Sequence, residues 1–282
     1  MCNCPITAYK YGKTKNGKTN IVFKNPYEVT PPGMELKLPC GRCMACRLEK
    51  TRQWGLRAEH EAKFHEENCF ITLTYAPENL PPSLEKRPLQ LFIKRLRKAI
   101  CGIKVKYIAS GELGDNHDNP HYHICLFGWQ PKDIQFLYEK QGAKYYTSKM
   151  LEMLWGYGFI IVTQLNFATA RYTAKYAIKK ELGSKEKTRP AEFFVVSQGI
   201  AQAHVDKYGG DMAIKGQTFA NNHSCSLPRY YKEKIKNTSN NLILQKTLDK
   251  QKKICINKNK SKTLTEQYYQ KYANEIILKS QH

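Results

Sequence analysis

The sequence predicts an α+β fold built on an antiparallel sheet, and three observations carry that prediction. Pro120-His-Tyr-His-Ile-Cys-Leu-Phe-Gly128 alternates with the period of two of a β-strand. Cys69-Phe-Ile-Thr-Leu-Thr-Tyr75 and Phe159 to Leu165 have the β-branched and aromatic content of strands. The segments between them carry apolar residues at helical spacing, so residues 69–180 read strand–helix–strand–strand–helix–strand–helix.

The totals bound the function. The 282 residues suffice for one large domain or two small ones with a sizeable core. Lys and Arg number 46 against 24 Asp and Glu, a formal charge of +22, which predicts attraction to a polyanion, with nucleic acid the default partner. No run of 18 apolar residues exists, so no membrane span is expected. Met-Cys-Asn-Cys-Pro at the N-terminus lacks the charged and apolar regions of a secretory signal, which predicts reduced, intracellular cysteines. There are ten of them, and their clustering suggests metal binding over a disulfide framework.

Residues 1–66 read as a Cys-rich segment followed by a helix. Cys2 and Cys4 precede a Gly-, Lys- and Asn-rich loop from Tyr11 to Asn20 and a Pro-containing stretch from Asn25 to Gly33. Cys40-Gly-Arg-Cys43-Met-Ala-Cys46 has the Cys-x2-Cys spacing of a zinc knuckle. Two or three ligands from residues 40–46 and one or two from Cys2 and Cys4 suffice for a tetrahedron; Cys4, Cys40, Cys43 and Cys46 are one such set. A structural Zn²⁺ there would staple an arm that has no core of its own. From Met44 to Glu66, Trp54, Leu56, Ala58 and Phe64 lie among charges with no Pro, which predicts a helix. Arg47, Lys50, Arg52 and Arg57 make its first half basic, a face equally suited to phosphate or to water. His60 and His65 stand five apart, not the four that a zinc-protease helix needs.

The segment 67–182 is the expected core. After the strand at 69–75, Leu89, Phe92, Ile93, Leu96 and Ile100 define an amphipathic helix with Lys94, Arg95, Arg97 and Lys98 opposite. Val105 to Ser110 is the next strand, joined through Gly111-Glu112-Leu113-Gly114 and a polar loop to the His-x-His strand. That connection makes the two antiparallel and sets Glu112 beside the histidines. Two helical segments, about 131–140 and 146–155, precede the strand at Phe159, and a helix from Phe167 to Lys180 follows it.

His121 and His123 project from one strand face with Cα atoms roughly 6.5–7 Å apart, close enough to share an ion if a neighbouring strand adds a ligand. Glu112 is the natural third ligand; Asp115, His117 and Asp118 are weaker candidates in a turn-like loop. On the last helix, Phe167, Ala170, Ala174, Ala177 and Ile178 form an apolar arc, and Tyr172, Lys175, Tyr176 and Lys179 lie opposite it. A divalent ion held by nitrogen and oxygen can polarise a phosphoryl oxygen. A tyrosine hydroxyl beside an ammonium can then attack phosphorus. Conserving the phosphodiester as a 5′-phosphotyrosine lets the strand be rejoined, and two tyrosines allow two transfers. The set reads as a DNA nicking and joining site.

Phe70-Ile-Thr-Leu-Thr74, the His121–His123 pair and the Tyr-x-x-Lys helix together resemble the three motifs of the HUH endonucleases that start rolling-circle replication. Gly111-Glu112-x-Gly114 ahead of Pro-His-x-His is similar to the metal motif of small circular DNA virus initiators. Cys40-Gly-x-Cys-x-x-Cys-Arg47 with Trp54, and Leu227-Pro-Arg-Tyr-Tyr231, resemble the replication initiators of gokushovirus-type Microviridae phages. The resemblance spans about residues 1–231. It implies an RRM-like antiparallel sheet with helices on one face, His121, His123 and Glu112 as ligands of Mg²⁺ or Mn²⁺, Tyr172 and Tyr176 as nucleophiles, and Lys175 and Lys179 at the phosphate. It further implies a rolling-circle initiator acting on single-stranded DNA at an origin in the cytoplasm of an infected bacterium, with host helicase and DNA polymerase as partners. An HUH-type transposase and a non-catalytic, zinc-stabilised nucleic-acid-binding protein are the alternatives.

Residues 183–231 are expected to be an accessory loop-rich segment with a short strand at Phe193 to Ser197. Its Arg229, Tyr230 and Tyr231 suit surface packing more than phosphate binding, and His204, His223 and Cys225 show no ligand spacing. Residues 232–282, with twelve lysines against four acids, form a flexible or partly helical basic tail.

Overall fold

The alternating segments at 69–75 and 120–127 lie side by side as neighbouring strands in the computed structural model of the chain, which describes residues 2–15, 17–114, 119–179, 192–220 and 223–260. The described residues up to Lys50 form one compact unit and those from Thr51 onward another.

In the first unit, strands β1 (Ile6–Lys13), β2 (Thr19–Val22) and β3 (Glu35–Leu38) form an antiparallel sheet in the order β2-β1-β3. The Tyr11–Asn20 segment expected to be loop contains the turn between β1 and β2 and the start of β2. Helix α1 (Met44–Ala62) begins in this unit and continues past Thr51, four residues short of the expected end at Glu66.

The second unit is organised on strands β4 (Asn68–Tyr75), then helix α2 (Arg87–Ala99), β5 (Lys106–Leu113), β6 (Pro120–Phe127), β7 (Ile134–Lys140), β8 (Ala143–Ser148), α3 (Lys149–Trp155), β9 (Gly158–Gln164), α4 (Phe167–Lys179), β10 (Phe193–Val196), α5 (Gln202–Lys215), β11 (Gln217–Ala220), β12 (His223–Ser226), α6 (Arg229–Lys236) and α7 (Asn241–Lys260). Seven strands pair antiparallel throughout, in the order β10-β5-β6-β4-β9-β8-β7. The architecture is thus mixed α+β on one large antiparallel sheet.

Strand alternation divides the sheet into two faces. Ile71, Leu73, Tyr122, Ile124, Leu126, Ile160 and Val162 pack with Leu89, Phe92 and Leu96 of α2 and Leu151 and Trp155 of α3. Each such fully buried side chain contributes roughly 1.5–3 kcal/mol of transfer free energy. The polar tips inside this core are satisfied: Trp155 Nε1 donates to the Thr74 carbonyl (3.0 Å), and Tyr122 donates to the Glu85 carbonyl (2.8 Å). On the other face Phe70, Ile108, Cys125 and Phe127 pack with Ala58 of α1, Ala170 of α4, Val205 and Met212 of α5, and Tyr231 and Ile235 of α6.

Helices therefore cover both faces, not one as the RRM-like expectation had it. The cause lies in β6, whose Cys125 and Phe127 are as apolar as the residues they alternate with. A second correction concerns residues 131–140, expected to be helical: they form the first strand of the β7–β8 hairpin. Gln141 (φ 53°) and Gly142 (φ 75°) adopt the paired left-handed conformations of a two-residue hairpin turn. The helix expected over 146–155 is limited to α3, which Ser148 caps by accepting from Leu151 N (3.2 Å). Within the segment expected to be accessory, β10 pairs with β5 as an edge strand of the main sheet. The basic C-terminal region is helical as far as Lys260, and its remaining residues lie outside the described ones.

A buried histidine pair joins α1 to α5 and α6. His60 accepts from or donates to Tyr231 Oη through Nδ1 (2.7 Å) and meets the Phe219 carbonyl through Nε2 (2.7 Å), and the His204 ring stacks on it at 3.6 Å. Because a carbonyl only accepts, the neutral His60 carries its proton on Nε2. Burial pushes both imidazoles below the usual histidine value of 6.5, His204 to about 3, helped by His60 and Lys63 beside it. A histidine depressed in the folded state contributes stability that is complete above 6.5 and is lost as pH falls toward the folded value. The melting temperature is therefore expected to fall between about pH 6.5 and pH 4. His204→Phe should flatten that decline in calorimetry at a series of pH values.

Candidate functional site

The strand register builds the site. Glu112 of β5 stands opposite His121 of β6, which stands opposite Thr74 of β4, which stands opposite Phe159 of β9. The next row is Ser110, His123, Thr72 and Ile161. Directly paired residues share a face, so both histidines, Glu112 and the two threonines lie on the side away from α2 and α3.

At the centre, His123 Nε2 and Glu112 Oε1 are 2.5 Å apart, and both side chains are buried. Tyr172 of α4 donates its hydroxyl to the same Glu112 oxygen at 3.2 Å, and its ring meets the His123 ring edge-on at 5.0 Å. Thr72 Oγ1 lies 3.1 Å from His123 Nδ1, and the Phe70 ring stacks on the imidazole at 5.7 Å. The histidine is thus fixed at both nitrogens and on one ring face. Tyr172 itself is 42% exposed, so the hydroxyl sits where the buried pair opens to solvent.

α4 reaches this point because it packs by small residues: Ala170 and Ala174 are buried, and Thr173 Oγ1 lies 3.4 Å from Cys125 Sγ. Its start is fixed by a reciprocal cap, Thr169 N to Asn166 Oδ1 (2.9 Å) and Asn166 N to Thr169 Oγ1 (2.9 Å).

The expected residues are brought together in part. His121 shares the face, with its ring centroid 6.4 Å from that of His123, but its Nε2 points toward Gly114. Among the described residues, only Cys2, Cys40, Cys43 and Cys46 have ligand atoms all within 4.8 Å of one another. Lys175, Tyr176 and Lys179 belong to α4, beyond Tyr172, and their side chains lie outside the described residues. Asp115, His117 and Asp118 also lie outside them.

The cysteine group can bind a metal such as zinc, and it differs from the expected set in one member. Cys2 takes the place given to Cys4, which is exposed and outside the cluster. In this ion-free arrangement burial works against the Cys43 thiolate, but backbone N–H groups of Cys46 and Asn3 hold it down to about 6, while burial and the neighbouring thiols push Cys46 up to about 12.

Sequence reasoning passed over three features. Thr72 meets His123 from β4, and only the register reveals it as a site residue. Arg57, expected to face phosphate or water, lies between Trp54 (4.0 Å) and Tyr230 (3.9 Å) and donates to the Ile200 carbonyl (3.1 Å). The site face also continues beyond the cluster across β9, β8 and β7. Phe159 there is 61% exposed, and Tyr138 stacks on Tyr145 at 4.7 Å. A groove of about 620 Å³ lined by Lys144, Tyr145, Thr163 and Thr169 adjoins it.

A buried carboxylate–imidazole pair with a half-exposed tyrosine on a strand floor defines a site suited to phosphoryl chemistry. Similarity to known proteins bears on what kind of protein carries it. The family of replication-associated proteins typified by ORF2 and the phage gene II protein matches residues 68–181. The chain is 30% identical over 231 residues to the replication-associated protein VP4 of Bdellovibrio phage phiMH2K, covering 77% of this chain and 73% of that one. It is 39% identical over 160 residues to the replication-associated protein ORF2 of Spiroplasma virus 4, covering 53% of this chain and 50% of that one. With the replication-associated protein ORF4 of Chlamydia phage 1 it shares 30% identity over 213 residues, 71% of this chain and 53% of that one. The chain belongs to the family of phage replication-associated proteins, and it spans about half the length of two of these three relatives. No solved structure matches it.

One residue of the Gly-Glu-x-Gly stretch can be tested for its effect on the site. A Cβ at Gly114 would lie 2.8 Å from His121 Nε2. Gly114→Ala is expected to turn the His121 ring and to cost about 1–3 kcal/mol of stability. The His121 side-chain NMR resonances and a denaturant titration would register both.

Proposed function

We propose that this chain is a rolling-circle replication initiator of the HUH class, which nicks one DNA strand at a phage origin by attack of Tyr172 and later rejoins the displaced strand. One observation carries the reading: the Tyr172 hydroxyl donates to the same Glu112 oxygen that meets His123 Nε2. A nucleophile and two ligand-type side chains thereby share one atom. Membership of the replication-associated family supports initiation over transposition. The positive charge of the whole chain suits a DNA substrate.

His123 and Glu112, with His121 turned in from Gly114, would hold the divalent ion. Their imidazole and carboxylate donors suit Mn²⁺ or Mg²⁺ with open positions. When bound, that ion would supply Lewis-acid polarisation of the scissile phosphoryl group. Thr72 Oγ1 would then accept from His123 Nδ1, fixing the tautomer that leaves Nε2 free to ligate. Glu112 Oε1 aligns the Tyr172 O–H and draws its proton. As the Tyr172 Oη–P bond forms, the P–O3′ bond breaks and the 3′-oxygen leaves with a proton as a free 3′-OH. Lys175 and Lys179, further along α4, would neutralise the phosphate, and Tyr176 would serve the second transfer. The 3′-OH would prime a host polymerase behind a host helicase in the cytoplasm of the infected cell. Among the described residues no helix is long and apolar enough to cross a membrane.

The test is a denaturing gel of protein incubated with labelled single-stranded origin DNA in Mn²⁺ or EDTA. A covalent adduct is expected with Mn²⁺, reduced at least about 100-fold in Glu112→Gln and absent in Tyr172→Phe. It should persist in Tyr176→Phe for the first cut. DNA that binds but forms no adduct with any divalent ion would return the protein to a non-catalytic nucleic-acid-binding role.

The open strand face gives a second expectation. The single strand flanking the scissile phosphate would stack on Phe159 and on the Tyr138–Tyr145 pair, which share the floor with Thr74 and Thr163. Stacking of this kind is worth about 1–3 kcal/mol per base. Phe159→Ala should therefore raise the Kd for a short single-stranded oligonucleotide by roughly 5- to 150-fold in fluorescence anisotropy. At saturating DNA the rate of adduct formation should be unchanged.

A further inference from the structure

The four clustered cysteines have the dimensions of an occupied site. With a Zn–S bond of about 2.3 Å, the edge of a tetrathiolate tetrahedron is about 3.8 Å. Cys2 Sγ stands 3.5 Å from Cys40 Sγ and 3.7 Å from Cys43 Sγ, and all four sulfurs lie within 4.8 Å of one another. A disulfide needs about 2.05 Å, and none of the four is bridged.

The surrounding backbone is arranged for thiolates. Cys40 N donates to Cys2 Sγ at 3.3 Å, and Cys43 N donates to Cys40 Sγ at 3.3 Å. Such N–H···S bonds are the supporting shell that orients metal ligands and disperses their charge. Gly41, at φ 76°, provides the left-handed residue that folds the knuckle back so that Cys40 and Cys43 face the same point. Cys43 immediately precedes α1 and Cys46 lies in its first turn, at the positive end of the helix dipole.

An independent observation concerns what holds the first unit together. Among its described residues, Ala8 is the single buried hydrophobic side chain. A three-stranded sheet of this size with one buried methyl group cannot offset its chain entropy by apolar burial. Small units in that position are stabilised by disulfides or by metal.

We propose that Cys2, Cys40, Cys43 and Cys46 bind one structural Zn²⁺ in a closed tetrathiolate site, and that this ion is what keeps residues 2–50 folded. Four soft sulfur donors favour Zn²⁺ over the harder ions suited to the His–Glu site. With every position taken by protein, the ion takes no part in phosphoryl chemistry. The proposal is independent of the nicking mechanism.

The experiment is metal analysis of the purified full chain by mass spectrometry, for wild type, Cys2→Ser, Cys46→Ser and Cys4→Ser. The Co²⁺-substituted wild type would be examined by absorption, and each protein by limited proteolysis. About one zinc per chain is expected in wild type and in Cys4→Ser. The Co²⁺ protein should show tetrahedral ligand-field bands with thiolate charge transfer. Cys2→Ser and Cys46→Ser should lose the metal and be cleaved within residues 2–50 while the part from Thr51 onward resists. Wild type without zinc, iron in its place, a bridged Cys2–Cys40 pair, or zinc lost in Cys4→Ser but kept in Cys2→Ser would each overturn it. Should the serine variants fail to express, the metal content and Co²⁺ spectrum of the wild type still decide the matter. Neither measurement depends on DNA cleavage.

Discussion

The antiparallel register of β5 against β6 is the constraint on which the site depends. Ala109 opposite Ile124 and Gly111 opposite Tyr122 belong to the face closed by α2 and α3. Their burial fixes the alternate residues, Ser110 and Glu112, on the face of the histidines. A slip of one residue would send the Glu112 carboxylate into an apolar core and a core side chain into the site, so the register is enforced by hydrophobic burial on the far side. The polar chemistry of one face is thus positioned by the packing of the other.

Electrostatics sets a second condition. The chain as a whole is strongly basic, and its long-range field favours the approach of a polyanion. The centre of the site, however, is a buried carboxylate. A phosphate drawn in by the field meets like charge at the last few ångströms, where a low local dielectric makes repulsion strong. The arrangement can act on a phosphodiester only with positive charge between the two, which is what the proposed divalent ion and the two lysines of α4 supply.

Much of this was legible in the sequence, for reasons that differ by residue. Glu112 and the His-x-His pair stand out because a period of two is unambiguous when the two faces differ in polarity, and the short connection between the strands leaves antiparallel pairing as the natural geometry. The helices at 44–62 and 87–99 follow from apolar residues at helical spacing. The β7–β8 hairpin escaped because Phe136 and Leu137, within a bulge, break the alternation, and Gln-Gly is a weaker turn signal than Asn-Gly. The choice of Cys2 over Cys4 could not be read either, since two cysteines separated by one residue differ only in where the entry to β1 points them. Thr72 was hidden for another reason: a strand threonine is ordinary until its partner is known to be His123.

The bulge between Phe136 and Tyr138 has a consequence of its own. β7 is the outer strand of the sheet and every one of its residues is exposed, the situation in which a second chain can add by backbone pairing. At the bulge the carbonyls and amides fall out of step, the strand twists more sharply, and no straight partner can follow them. Glu139 and Lys140 place charge at the end of the same strand. A local irregularity in one hairpin thereby serves as protection against self-association, leaving an aromatic-rich edge in water without making it a template for aggregation.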